Sequence, residues 1–243
     1  MQRGRYDGRD QIAVGDFATV YRARDRDLGR EVAVKQIHPQ FLNDERQLAR
    51  YWQEAQLLAS LQHPNIVTIY DIAEENGLAY IFMEFVNGPS LEKLLASDQP
   101  PDKDSLLSIF RQTAAALDYA HKKGIIHRDV KPDNLMISET GMVKIGDMGL
   151  ARGLNEKVGP EEETSVIGTP HYIAPEQVLG RPADFRSDIY SLGATAYRML
   201  AGVTPFQAPS VRELVNKKVR EDAPSVRDFN PDVPEELARI VTR

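Results

Sequence analysis

Apolar and polar positions alternate in short runs along the first third of the chain, and turn-forming residues separate the runs. Val14 to Arg24 and Arg30 to Ile37 are rich in β-branched and aromatic residues and flank Asp27-Leu28-Gly29, a pattern that predicts a hairpin. The period then changes. Leu48, Tyr51, Trp52, Ala55, Leu58 and Leu61 recur at three- and four-residue steps, which predicts an amphipathic helix packed on the hairpin's sheet. His63-Pro64-Asn65 breaks that helix. Ile66 to Ala73 and Leu78 to Val86 read as two further strands around Glu75-Asn76-Gly77.

Beyond Asn87-Gly88-Pro89 the pattern becomes helical, so a lobe boundary is expected near Gly88. Leu106, Leu107, Phe110, Ala114, Leu117 and His121 keep helical period, and Gly124 stands where a glycine ends a helix. A second, buried helix is expected through Ile189, Leu192, Gly193, Ala196, Tyr197 and Leu200, ended by Gly202. Between them, Asp147 to Glu176 has weak periodicity and the acidic run Glu161-Glu162-Glu163, the mark of a long functional loop.

Composition narrows the function. A chain of 243 residues with 42% hydrophobic and 27% charged residues suits one globular unit built from two lobes. No apolar run approaches the ~20 residues of a membrane helix, and the polar start does not resemble a leader, so a cytoplasmic location is expected. With no cysteine, disulfides, thiolate nucleophiles and cysteine-based zinc sites are excluded. The five histidines are scattered, and a net charge of −6 argues against nucleic acid as a partner.

Candidate chemistry clusters in the second half. Asp129 is a carboxylate able to orient a hydroxyl, Lys131 is a compact cation two residues on, and Asn134 supplies a neutral oxygen. Asp147, close to Gly149, offers the hard anionic oxygen that magnesium prefers. Phosphoryl transfer from a nucleotide needs these parts and little covalent work from the protein.

The string His127-Arg128-Asp129-Val130-Lys131-Pro132-Asp133-Asn134, followed by Asp147-Met148-Gly149 and Ala174-Pro175-Glu176, resembles the protein-kinase signature set in order and spacing. The resemblance runs from about Tyr6 to the last residue. It implies an α+β, two-lobed protein-kinase fold: a small, mainly antiparallel β N-lobe with one key helix (6–86, ATP-binding) and a larger helical C-lobe (87–243). ATP and magnesium are the implied cofactors, with manganese as an alternative. Lys35 of Val32-Ala33-Val34-Lys35 would hold the α- and β-phosphates and pair with Glu54, while Asp129 and Lys131 would act on the transferred group. Asn134 and Asp147 would hold the metal. The nucleotide would be covered by Ile12, Ala13, Val14, Gly15, Asp16, Phe17, Ala18, Thr19 and Val20. Met83, Glu84 and Val86 would form the hinge, Val20, Ala33 and Met136 would sandwich the purine, and Leu58, Ile69, His127 and Met148 would stack as a spine.

Lys131-Pro132 and Gly168-Thr169-Pro170 resemble the Ser/Thr branch, whose Gly-Thr-Pro to Ala-Pro-Glu segment docks a peptide, and Tyr172-Ile173-Ala174-Pro175-Glu176-Gln177 with the compact loops is similar in style to its bacterial members. The implied function is transfer of the ATP γ-phosphoryl group to protein serine or threonine. Thr169 would bridge Asp129 and Lys131. Arg128 implies control by an anion on the loop, with Thr164 and Ser165 as phosphosites; the acidic run reads as solvated loop charge, or as supplying one glutamate that partly stands in for phosphate. A homodimer or a regulatory partner is compatible with such control, and the full-length protein of such kinases is often membrane-tethered.

Three departures stand out. Of the family's Gly-x-Gly-x-x-Gly only Gly15 survives, with Ala13 and Ala18 outside it, which predicts slower or tighter nucleotide handling. Met148 replaces a phenylalanine. The helical segment whose arginine pairs with the family's Ala-Pro-Glu glutamate does not follow, so the C-lobe reads as truncated, its C-terminal end missing, with Glu176 left without its expected partner. The competing readings are a pseudokinase-like nucleotide-binding scaffold and a small-molecule phosphotransferase of the aminoglycoside type.

Overall fold

The computed structural model describes residues 5–42, 45–147 and 170–242, which fall into two compact units, one ending at Asn87 and the other beginning at Gly88. Met148, Gly149, Thr164, Ser165, Thr169 and the glutamates at 161–163 lie outside the described residues.

In the N-terminal unit, β1 (Tyr6–Val14), β2 (Ala18–Asp25), β3 (Arg30–Ile37), α1 (Glu45–Ala59), β4 (Ile69–Glu75) and β5 (Leu78–Glu84) follow in order. The five strands form an antiparallel sheet in the order β1-β2-β3-β5-β4, and α1 packs along β4. β3 is buried on both faces. Val32 and Val34 join Ala23, Tyr80 and Phe82 in one cluster, over which the Tyr6 ring stacks on Phe82 at 4.0 Å. By strand alternation, Ala33, Lys35 and Ile37 share the opposite face.

Two expectations shift here. Val14 closes a strand of its own instead of opening β2, and the β1–β2 turn occupies the residues between Val14 and Ala18. β1 escapes the hydrophobic pattern because it is an edge strand of mostly polar residues, with β2 as its partner. β4 starts at Ile69, since the Ile66 N–H is spent on the His63 carbonyl in the preceding turn.

The β2–β3 hairpin is built around a buried carboxylate. Asp25 accepts from Arg5 Nε and Nη2 at 3.3 and 3.0 Å and from the N–H groups of Asp27 and Leu28 at 3.1 and 3.3 Å. The Arg5 guanidinium, helped by these N–H groups, holds the carboxyl below its ordinary range against the opposing cost of burial.

The C-terminal unit contains α2 (Leu91–Leu95), α3 (Lys103–Lys122), β6 (Leu135–Ile137), β7 (Val143–Ile145), α4 (Pro175–Val178), α5 (Phe185–Ala201), α6 (Val211–Arg220) and α7 (Glu235–Val241). α3 begins on Asp102, whose carboxylate accepts the Ser105 N–H at 2.8 Å, and Gly124 follows its end at φ 75°. α5 begins on Asp184 and stops at Gly202, φ 73°. Ile189 is 56% exposed, so it does not belong to the buried run expected of it. The buried side of α5 carries small polar residues instead: Ser187, Asp188, Ser191 and Thr195 sit among Leu192, Ala196 and Met199. Tyr197 closes a second cluster with Val226, Val233 and Ala238.

The α+β class is the one the sequence predicts, an antiparallel sheet with one main helix followed by a helical unit. Glu176 Oε1 accepts the Ser187 hydroxyl at 2.5 Å, a partner other than the arginine that the resemblance implies.

Two variants test these packing arguments. A Cβ at Gly88 would lie 1.9 Å from the Ile137 carbonyl oxygen, so Gly88→Ala is expected to lower stability by roughly 1–3 kcal/mol, read as a fall in melting temperature. For Asp25 the depressed folded pKa means that its stabilisation is present above the unfolded carboxyl value, about 4, and is lost as pH falls below it. Asp25→Asn should therefore be less stable at neutral pH and lose less stability on acidification, as measured by urea denaturation across pH.

Candidate active site

In the N-terminal unit the strand register decides which site residues meet. Lys35 is only 7% exposed and stands opposite Val20 on β2 and Ile81 on β5, while Ala33 stands opposite Met83. On α1, Tyr51, Ala55 and Leu58 are buried and Glu54 is half-buried. At the end of β5 the Glu84 N–H donates to the Thr68 carbonyl at 2.8 Å and the Glu84 carboxylate accepts the Thr68 N–H at 3.2 Å. Any backbone contact from Glu84 to a ligand must therefore come from its carbonyl. Phe85 lies under the Arg22 guanidinium at 4.9 Å, and Val86 is half-buried.

The glycine-poor loop is unstrained. Ala13 and Ala18 lie in strands, paired with Val20 and Ile37, and neither has a positive φ. The Gly15 N–H closes the turn on the Ala18 carbonyl at 2.9 Å, and a Cβ on Gly15 would meet that oxygen at an ordinary 3.6 Å. Glycine is not required at the three positions in this conformation. Residues 12–16 are exposed, whereas Phe17, Thr19 and Val20 are half-buried and Ala18 is buried. His38 donates its main-chain N–H to the Phe17 carbonyl at 2.9 Å. Its Nδ1 lies 3.2 Å from the Asp16 carbonyl and its Nε2 3.0 Å from the Thr19 hydroxyl. Phe17 also rests on the Phe41 ring at 4.8 Å. His38 was not singled out by the sequence, which carries no signal beyond a polar residue after β3.

In the C-terminal unit Asp129, Lys131 and Asn134 converge. Lys131 Nζ is 3.1 Å from Asp129 Oδ2, and Asn134 Nδ2 donates to the same oxygen at 2.9 Å and to the Asp129 carbonyl at 2.7 Å. With its amide nitrogen engaged, the mostly buried Asn134 keeps its amide oxygen as the atom for a ligand. Its position follows from the Pro132–Asn134 turn, closed by the Asn134 N–H on the Lys131 carbonyl. Met136 on β6 is half-buried, pairs with Lys144 and bridges to Ser90.

His127, fully buried, ties this loop to the segment after β7. Its Nδ1 accepts the Asp129 N–H at 3.2 Å, which places the ring proton on Nε2, 3.0 Å from the Gly146 carbonyl. The Gly146 N–H in turn donates to the Asn134 carbonyl, and Asp147 follows, exposed, at φ 55°.

The residue that sets the loop is Asp188, which motif reading missed. Fully buried on α5, it accepts the N–H groups of His127 and Arg128 at 2.8 and 2.7 Å and bonds His121 Nε2 at 2.8 Å. Arg128 sits at φ 68°, a left-handed angle that costs a non-glycine residue about 1–2 kcal/mol. Two hydrogen bonds to a buried carboxylate, worth about 1.5–3 kcal/mol each, more than offset that cost. The available signal was an acidic residue on the inward face of an apolar helix. Gln177 secures the other side by donating to the Arg128 carbonyl at 3.2 Å. The Arg128 Nε is buried and has no acceptor among the described residues.

Among the described residues no three histidine, aspartate or glutamate side chains cluster as a metal cage. Magnesium needs none, since one or two protein oxygens plus substrate phosphates suffice for it. The Asn134 amide oxygen and the Asp147 carboxylate are oxygen donors of that kind, so the residues fit the ion.

Over residues 6–241 the chain matches the protein kinase domain family. It belongs to that family. It is 38% identical over 240 residues to the serine/threonine-protein kinase PrkC of Bacillus subtilis, covering 99% of this chain and 37% of PrkC. It is also 40% identical over 222 residues to PknB of Mycobacterium leprae, covering 90% of this chain and 36% of PknB. The chain thus spans just over a third of the length of these curated relatives. Among solved structures, Rad53 1-466 in complex with AMP-PNP superposes with a TM-score of 0.77 at 30% identity, over 96% of this chain and 57% of that one. The PknI kinase domain of Mycobacterium tuberculosis gives a TM-score of 0.72 at 25% identity, over 97% of this chain and 87% of that one.

The extended angles at Ala13 and Ala18 place no left-handed strain on the alanines, which leaves a stiffer loop. Ala13→Gly is expected to change Mg–ATP affinity by less than about threefold, under 1 kcal/mol, in titration calorimetry.

Proposed function

We propose that the chain is an ATP-dependent kinase domain that phosphorylates serine or threonine on a protein substrate. The observation that carries this reading is the Asp129 carboxylate, fixed by Lys131 and Asn134 on a loop whose backbone is bonded to Asp188. The names of the relatives, serine/threonine-protein kinases, support it.

The unit up to residue 86 supplies the nucleotide site: Lys35 for the α- and β-phosphates, positioned with Glu54, the 12–20 loop over the phosphates, and Met83, Glu84 and Val86 at the adenine. The unit from residue 87 supplies the chemistry. Asp129 orients the acceptor hydroxyl and takes its proton as the oxygen attacks the γ-phosphorus and the bond from that phosphorus to the β–γ bridging oxygen breaks, releasing ADP. Lys131, 3.1 Å from that carboxylate, places its positive charge beside the transferred group. Asn134 and Asp147 would hold magnesium, or manganese in its place, which when bound neutralises charge on the phosphates. His127 keeps the Asp129 and Gly146 segments in register.

Regulation through the activation segment follows from Arg128. A buried guanidinium Nε lacking an acceptor is suited to a phosphate on Thr164 or Ser165, and Thr169 would bridge Asp129 and Lys131.

Incubation with labelled ATP and magnesium beside an Asp129→Asn variant tests the reading. The variant is expected to keep nucleotide affinity and to lose at least ~100-fold in turnover. Wild-type incorporation no higher than the variant's would leave a nucleotide-binding scaffold in its place.

A further inference from the structure

Lys218, on α6, is 6% exposed, an unusual position for an ammonium group. Its Nζ donates to the His171 carbonyl at 2.9 Å and to the Ile173 carbonyl at 2.8 Å, and it lies 5.3 Å from the centroid of the Tyr190 ring. No carboxylate comes within ion-pair reach of it among the described residues. Burying a charge without a counter-ion is costly, and here that cost pushes the lysine down to about 7. The two carbonyls and the aromatic face are what favour its charged form.

Both carbonyls belong to one short stretch. Tyr172, Ile173 and Ala174 are buried between them and α4, while the described part of the segment opens at Pro170. The stretch is held elsewhere by weaker contacts: His171 Nδ1 lies 3.2 Å from the Phe206 carbonyl, and the Ala174 N–H donates to Gln177 Oε1 at 3.3 Å. It has no strand or long helix to fix its backbone, since α4 starts only at Pro175. Lys218 therefore supplies its two shortest side-chain bonds, from a helix remote in sequence. The same groups surround an otherwise polar junction, in which the Tyr190 hydroxyl is buried without a partner among the described residues and is pushed up to about 12 by burial and by Glu176.

We propose that Lys218 is a positioning residue for the acceptor-peptide site, fixing the 170–174 backbone from α6 so that a substrate segment can dock on it. The inference rests on the kinase reading above. It predicts a selective defect: the acceptor peptide loses affinity, whereas ATP handling and the chemical step, which rely on Lys35 and Asp129, do not change.

The test uses a single-threonine peptide, chosen from a positional-scanning library as the best acceptor for the wild-type protein. Lys218→Met keeps the length and apolar stem but removes the charge and the donors. Its peptide KM is expected to rise roughly tenfold, with kcat and the ATP KM within about twofold of wild type. Amide exchange over residues 171–174 should accelerate. Lys218→Arg, which restores a charged donor, should recover most of the peptide KM. Where the methionine variant does not fold, Lys218→Gln, which keeps an N–H donor, is measured instead and should be intermediate. A methionine variant with wild-type peptide KM and unchanged exchange overturns the proposal, because it shows that the side chain only fills space. A wild-type protein that transfers no phosphoryl group overturns the kinase reading and the docking role together, and that outcome is distinguished by the absence of turnover in every variant.

Discussion

The C-terminal unit depends on one buried carboxylate. Asp188 finds donors about 60 positions away in the N–H groups of His127 and Arg128. These bonds hold Arg128 at a left-handed angle, and the turn that results sends the Asp129, Lys131 and Asn134 side chains toward one another. The carboxylate also takes His121 from the end of α3, so α3, α5 and the loop share a single polar joint. An apolar residue there would leave the two N–H groups without their acceptor oxygens.

The motif residues were legible because they are contiguous and chemically specific. Asp129, Lys131 and Asn134 fall within six positions, and the proline and the tight turn between them dictate that they meet. Asp188 and Lys218 were not legible, because their meaning lies in backbone atoms of distant segments, which side-chain patterns do not encode. β1 was missed for a different reason: an edge strand has solvent on one side, so its polar residues break the alternation that reveals a strand. Ile189 misled in the opposite direction, an apolar residue on the exposed side of a helix whose inward face is partly polar.

The nucleotide loop shows how a missing motif can be structurally mild. Glycine is essential only where φ is positive or space is absent, and neither condition holds at Ala13, Gly15 or Ala18. The tip is held instead by the His38 main chain and ring and by Phe41. Conformational freedom given up by the alanines is thus matched by a scaffold that already restrains the loop.

The long-range carboxylate also imposes an order on biosynthesis. The chain leaves the ribosome from its N-terminus, so residues 127–134 emerge well before Asp188 does. Until α5 has been made and has folded against α3, the two hydrogen bonds from the His127 and Arg128 N–H groups to Asp188 cannot form. A nascent chain therefore carries the signature sequence before the carboxylate that shapes its turn has been made.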